Sequence, residues 1–572
     1  MIRNLKMLAF MAILVITACK KNELITSQPE SSKAGAAVMA TTNVSAMAVT
    51  ATYYIDAVNG KDSFDGKSPA TAWRTITKVN QTTFQPGNVI LFKCGQSWTN
   101  RLHPLGSGTN GSPIVIGRYG DTTLRAPLIQ GGGNNTSTIY LYNQAYWEIN
   151  DIEVTNFSST EEGQTLDAWE SNNQSYYANG NLPDRLDNSS NHSMRLGILI
   201  QAQDKGSVNH IYLRNVLVHG VNGKLDATDD TKYNGGIYFN ITGTSTPTYF
   251  NDILIDRCTV RDVDRTGLFF GSTWKDRTLT DPGNWQPSLG VIVRNSYFTR
   301  SGANALIIRV TDHALIERNL FDHCAIKGSG NAAFAFSSDY AKFQYNECRY
   351  TKANKGDDDA GGLDADFYCK NTIIQYNYLH NNDFGLLITG GGFATSFNDG
   401  TQVKFNIIEK DGTVQQHDGH AFMMRISGSA TNTLIYNNVI DIGPSQTGVA
   451  LTWQKSWNGK TPSNTTYYNN IYDNGGTGST FEISQGSNTK FDYNAFYRNA
   501  AARQPTQVHP INGDVKFVNP GSGNPAGFKL KAGSVALGAG VIIPNSGAKD
   551  YFGNPISPTS APNVGAYNGK GL

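Results

Sequence analysis

The chain has 572 residues, of which only 16% are charged, and its formal net charge is +1. A near-neutral chain carries no basic stripe, which argues against a nucleic-acid partner. Plentiful apolar and aromatic residues exclude a disordered polymer. Glycine is abundant (59 residues), and many short β-rich runs are separated by Gly and Asn, so the composition points to an all-β fold.

In chain order, the first segment reads as a targeting sequence rather than as fold. Arg3 and Lys6 supply positive charge, and Met7 to Thr17 is an apolar run too short to span a membrane as a helix. Val15-Ile16-Thr17-Ala18-Cys19 resembles a bacterial lipobox. That resemblance implies a signal peptide over 1–18, cleavage before Cys19 and lipidation of Cys19. Residues 19–50 are Ser/Ala/Thr-rich without a period and read as a flexible tether. The expected location is the cell envelope, lipid-anchored at the outer membrane, or the secreted fraction, with membrane contact only through the lipid. The remaining cysteines, Cys94, Cys258, Cys324, Cys348 and Cys369, form no CxxC and no zinc-type spacing, and read as small buried hydrophobes.

Tyr53 to Trp98 reads as the opening rungs of a repeat array. A long polar insertion runs from Thr160 to Ser193 and carries Trp169, Tyr176 and Tyr177. A short pattern then recurs, an apolar or aromatic residue near an Asn: Leu213-Arg214-Asn215, Val293-Arg294-Asn295, Glu317-Arg318-Asn319, Gln344-Tyr345-Asn346, Gln375-Tyr376-Asn377 and Lys404-Phe405-Asn406. It continues through Ile435-Tyr436-Asn437, Tyr468-Asn469-Asn470 and Asp492-Tyr493-Asn494. From Asn295 to Asn437 the steps are 24, 27, 31, 29 and 31 residues. A period in this range means a solenoid, and a β-propeller blade needs about 40 or more. Each repeat holds two or three short strands of β-branched and aromatic residues rather than one helical stripe. The expected fold is therefore a right-handed parallel β-helix of about 10–12 rungs over 51–516, with loop insertions on one face. An Asn at the same corner of each rung is expected to adopt the left-handed bend and to hydrogen-bond its neighbours above and below. Thr273 to Gln286 is a second insertion, and 517–572, rich in Gly and Pro, is expected to close the far end.

Tyr53-Tyr54-Ile55-Asp56-Ala57-Val58-Asn59-Gly60-Lys61-Asp62-Ser63-Phe64-Asp65-Gly66 and Ala72-Trp73-Arg74-Thr75-Ile76 resemble the start of secreted proteins of the pectin-lyase-like superfamily. Asp550-Tyr551-Phe552-Gly553-Asn554-Pro555 and Val564-Gly565-Ala566-Tyr567 look like their closing signature. The resemblance implies the β-helix and secretion. It does not specify chemistry, because that superfamily holds lyases, hydrolases and non-catalytic proteins.

The residues themselves single out Gly356-Asp357-Asp358-Asp359-Ala360-Gly361-Gly362-Leu363-Asp364-Ala365-Asp366-Phe367. Strand alternation turns Leu363, Ala365 and Phe367 inward and puts Asp364 and Asp366 on the outer face, roughly 6.5–7 Å apart along the strand. Two carboxylates at that spacing act as acid and base around a water, or grip one cation. Laying rungs side by side puts Arg309 and Arg425 near the column of Asp366, with Ser337, Ser338 and Asp339 on a rung between, Asp312 nearby and His420 opening the strand of Arg425. Asp364, Asp366 and His420 are the candidate catalytic residues. Arg309, Arg425, Asp339, Trp274 and Trp453 are the candidate substrate contacts, Trp457 is a further ring for stacking on a sugar face, and Asp358 and Asp359 are the candidate Ca²⁺ ligands. His219 and His313 rank lower. The expected partner is a polysaccharide and the expected state a monomer. Hydrolysis by paired Asp residues is favoured. The alternatives are Ca²⁺-assisted β-elimination of a uronic-acid polymer, with Arg309, Arg425 or Lys275 serving the uronate or the base, and a non-catalytic glycan-binding surface protein.

Overall fold

The computed structural model describes residues 50–158, 193–225, 232–416 and 419–572. The lipobox at Cys19, the tether and most of the first insertion, with Trp169, Tyr176 and Tyr177, lie outside the described residues.

The repeats wind into three long parallel sheets of 15, 13 and 11 strands. Each strand pairs with the equivalent strand of the previous and the next repeat. On the first sheet, for example, Leu315–Glu317 pairs in register with Lys342–Gln344, which pairs with Ile373–Gln375. The chain is a right-handed parallel β-helix; the third sheet has eleven strands, and the first and second sheets, with 15 and 13, have more than the ten to twelve rungs read from the sequence. Stacking strands about 4.8 Å apart lets each rung satisfy the backbone edge of the one before it. Alternation sends every second side chain inward, so Ile316, Phe343, Ile374, Val403 and Ile435 form one fully buried file. The only α-helix among the described residues, Ile76–Asn80, packs Ile76 and Val79 against the core at the opening of the solenoid. No helix of the described residues is long and apolar enough to cross a membrane.

The corner Asn residues do form a ladder, in a frame shifted from the expected one. The side-chain amide of Asn319 donates to Asn346 (3.1 Å). Asn346, Asn377, Asn406, Asn438 and Asn470 each donate onward at 3.0 Å, ending on Asn494. The left-handed bend belongs to the residue before each ladder Asn: Arg318, Tyr345, Tyr376, Phe405, Asn437, Asn469 and Tyr493 all have positive φ. Asn437, taken from the sequence as a ladder member, is thus the bend, and Asn438 is the rung. The ladder amides are buried, and they are satisfied inside the stack by one another and by backbone carbonyls, as Asn377 is by Asn406 and Phe343.

The C-terminal segment runs along a flank of the solenoid. Val515, Phe517, Phe528, Leu530, Val564 and Tyr567 pack on the outer face of the second sheet, against Tyr378, Ile407, Val439 and Ile471. The Gly565 N–H donates to the Asn469 carbonyl and the Tyr376 hydroxyl to that of Lys549, which lays the segment along the flank. All five cysteines of the described residues are buried and unbridged.

Candidate active site on the third sheet

The third sheet carries the acidic segment. Its central strands are Leu306–Arg309, Ala333–Phe336, Leu363–Ala365, Leu386–Thr389, Met424–Ser427 and Ala450–Lys455. Ile308, Ala335, Ala365, Ile388 and Ile426 occupy one register position and fill the core. The positions on either side of them face outward. One outward file runs Ile307, Phe334, Asp364, Leu387, Arg425, Trp453. The other begins with Arg309 beside Phe336, and Asp366 follows, its N–H bonded to the Ala335 carbonyl at 2.9 Å. Thr389, Ser427 and Lys455 lie in line further along.

Glycine sets the entry to the acidic strand. A Cβ on Gly361 would stand 2.4 Å from the Gly385 carbonyl oxygen of the next rung, so no other residue brings the strand this close. The strand ends at Ala365, and Tyr368 then turns through a left-handed φ of 63°. This corrects one inward assignment: Phe367 lines the cleft and packs against Phe336 (5.0 Å), Phe393 (5.9 Å) and Trp457 (6.1 Å).

The outward files form the floor of a cavity of about 720 Å³. Asp359, Asp364 and Asp366 line it with Lys232, Arg309, Arg425 and Lys455, and the rings of Phe336, Phe393 and Trp457. Asp364 is the most enclosed of the three, 3% exposed. Its two oxygens accept from Asn331 Nδ2 (3.3 Å) and Thr389 Oγ1 (3.2 Å). Burial first, then the charges of Asp366 and Asp359, push its carboxyl well above the usual range. Asp366 faces the cavity more openly and accepts from the Phe367 N–H at 2.8 Å. Burial and the Asp359 charge push it up to about 7, against the pull of that N–H, Lys232 and Arg309. Asp359 is also raised, by burial and then Asp358, while Arg425 draws it down.

Arg425 is braced by Gln416 (Nη1 to Oε1, 2.7 Å) and by the Asp358 carbonyl oxygen (Nη2, 3.3 Å). It belongs to the file of Asp364, one outward position from the column of Asp366 where the sequence put it. Arg309 sits with its guanidinium 4.4 Å over the Phe336 ring, and its buried Nε has no hydrogen-bond partner among the described residues.

The structure keeps several other candidates out of the cavity wall. Asp339 is held by Arg277 at 2.7 Å, and Ser337 and Ser338 are buried. Trp453, 6% exposed, shares the file of Asp364 but packs under Phe422, because the chain before Met424 folds across it. His420 meets the Trp453 ring edge-on at 5.3 Å and stands 4.0 Å from Glu482. Trp274 packs half-buried against the core. Asp312 pairs with His313 (2.7 Å), and His219 with Glu153 (2.5 Å). Asp358, by contrast, lines the cavity at its exposed mouth, where Arg425 and Gln416 donate to its carbonyl oxygen and Gln416 also to its carboxylate (3.1 Å); among the described residues no group of three or more His, Cys, Asp or Glu is arranged to hold a metal.

Sequence reasoning named Trp457 and missed the rest of the aromatic wall, Phe336 and Phe393. Its signal was present: in Ala333-Phe334-Ala335-Phe336 the small residues fill the inward positions and the rings fall on the face that Asp364 and Asp366 share.

The three stacked sheets and the outward cavity define a right-handed parallel β-helix of the pectin-lyase-like fold. A protein-family model described as a right-handed β-helix region matches residues 235–440. The lacto-N-biosidase of Bifidobacterium longum subsp. longum is 24% identical over 90% of this chain, which covers 36% of that protein. The solved GH136 lacto-N-biosidase from Eubacterium ramulus superposes with a TM-score of 0.52 and 21% identity over 67% of this chain and 64% of that one. Its selenomethionine form gives 0.53 and 20% over 78% and 67%. This chain therefore spans about a third of the curated relative's length.

Proposed function

We propose that the chain is a glycoside hydrolase that cleaves a glycosidic bond in the cavity of the third sheet. One observation carries the reading: three carboxylates, Asp359, Asp364 and Asp366, converge in one partly enclosed cavity walled by aromatic rings. Glycoside hydrolysis needs a protonated carboxyl to donate to the leaving oxygen and an ionised one to attack or to activate water. Asp366, raised to about 7, holds a proton near neutrality and is open to the cavity, so it is the proton donor. Asp364 is too enclosed to reach a sugar carbon and too strongly raised to be the anion. Asp359, which Arg425 draws down, is the ionised partner. The Asp359 charge then keeps the acid's proton in place by disfavouring a second anion beside it, and Asp364 stands by as a protonated neighbour. Asp359, read from the sequence as a cation ligand, thus joins the catalytic pair in place of Asp364. The rings of Phe393 and Trp457 offer flat apolar faces to sugar C–H groups.

The kinship with proteins named lacto-N-biosidase supports hydrolysis over elimination. The substrate is a polysaccharide or oligosaccharide at the cell envelope, and Ca²⁺ belongs with the elimination alternative. The test is to incubate the purified protein with a panel of neutral and acidic glycans, with and without chelator. New reducing ends without ultraviolet-absorbing unsaturated products, unaffected by chelator, are expected. Unsaturated products, or no cleavage of any glycan, would overturn the reading.

A further inference from the structure

A second cavity, of about 360 Å³, opens beside the first. Phe336 lines both. Three consecutive residues divide between them: Asp366 and Phe367 face the first cavity, and Tyr368 lines the second. Its other wall comes from the insertion after the strand Thr266–Ser272, through Lys275, Asp276, Thr278 and Asp281.

We propose that this second cavity is a binding subsite for a neutral sugar unit of the substrate, reached across the Phe336 ring from the acid Asp366. The inference rests on the hydrolase reading and extends it. It makes the substrate an oligosaccharide that occupies both cavities.

The wall is built, not incidental. Arg277 is 7% exposed, donates to Asp339 Oδ1 (2.7 Å) and to the Tyr368 carbonyl oxygen, and stacks on Trp285 at 3.9 Å. Trp285 Nε1 donates to the Ser337 carbonyl (2.9 Å), and Ser337 Oγ donates to that of Lys275 (3.1 Å). The insertion is thus fastened to the two rungs that carry Phe336 and Tyr368. A volume of this size holds about one or two pyranose rings.

The chemistry of the lining selects the ligand. Lys275 pairs with Asp276 at 2.9 Å, and Arg277 is committed to Asp339. Among the described residues of this lining, no uncompensated cation is left to attract a uronate. Lysine donates, carboxylates accept and threonine does both, which suits the adjacent hydroxyls of a neutral sugar. The Phe336 and Tyr368 rings supply an apolar face for its C–H groups.

The test uses two variants outside the acid cavity, Tyr368→Ala, which removes the ring, and Thr395→Trp, which fills the cavity from the lining residue whose hydroxyl stands 3.3 Å from that of Tyr368. Cleavage of a neutral tetrasaccharide is compared with cleavage of a short aryl glycoside. Both variants should lower kcat/KM for the tetrasaccharide by about fivefold or more and leave the aryl glycoside unchanged. If the two substrates respond alike, the subsite is overturned while the hydrolase reading stands. If the wild-type protein cleaves neither, the hydrolase reading fails, and calorimetric binding of neutral tetrasaccharides of β-glucan, β-mannan and β-galactan type decides the subsite. Binding that Thr395→Trp abolishes supports it; no binding, or binding unchanged in that variant, overturns it.

Discussion

Asp364 and Arg425 stand in one outward file of the third sheet, two rungs apart, with Leu387 between them. The arginine is therefore fixed by the sheet itself at a set distance from the acidic strand, and its positive charge opposes the burial that raises both Asp364 and Asp359.

Removing that charge has a directional consequence. In Arg425→Met the ionised form of Asp359 loses its nearby cation, so its pKa rises and a larger share is protonated at low pH. The acidic limb of the pH–rate profile should move to higher pH, with kcat/KM on that limb falling about tenfold for each pH unit that the limb moves. A profile measured from pH 4 to 9 checks it; an unmoved acidic limb would mean that Arg425 does not set the ionisation of Asp359.

The ring platform makes a different kind of contribution. Phe393, 52% exposed, lies 5.9 Å from Trp457 at the cavity rim. Trp457→Ala should raise KM about three- to tenfold with kcat nearly constant, because stacking on the ground-state sugar is lost equally in the transition state. A drop in kcat at constant KM would instead place the ring near the reacting bond.

The Asn ladder predicts a stability effect. Asn377 accepts from the backbone and side chain of Asn346 and donates to the Phe343 carbonyl and to Asn406. Asn377→Ala leaves several of these buried groups without partners, at roughly 1–3 kcal/mol each. Urea denaturation should show a lower midpoint for this variant, and an unchanged midpoint would mean that water repairs the gap.

A second acidic pair sits far from the cavity, on the second sheet. Asp441 and Asp473 occupy adjacent rungs, and Arg498 donates to both. Burial, then the Asp473 charge, raises Asp441 to about 8. In the unfolded chain this group titrates near its ordinary value, so the folded state holds an extra proton between about pH 4 and 8. Its contribution to stability is complete below pH 4 and is lost as pH rises through 8. Asp441→Asn, which mimics the protonated form, should flatten the decline of Tm between pH 6 and 9; a decline as steep as that of wild type would contradict the assignment.

Periodicity made much of this legible in the sequence. The spacing of Asn319, Asn346, Asn377 and Asn406 sets the rung, and the alternation in Leu363-Asp364-Ala365-Asp366 sets which carboxylates face out. What failed was tied to segments without a period. Phe367 follows the last strand residue, and the left-handed turn at Tyr368 redirects it. The loop holding Asp358 and Asp359 comes back over the cavity, a path that no strand alternation encodes. Asn437 and Asn438 are adjacent, and composition does not tell which is the bend. Trp453 and Asp339 have plausible positions, but neighbouring chain covers one and Arg277 holds the other.

Delivery of the proton by Asp366 is the step on which the proposed hydrolysis turns. Its most direct measurement is the rate of reducing-end release by Asp366→Asn, beside wild type, on the glycan that wild type cleaves, with circular dichroism confirming the β-fold. The predicted result is a loss of about 10²–10⁴-fold in the variant, and a wild-type alkaline limb near pH 7. A folded variant that turns over at the wild-type rate would contradict it.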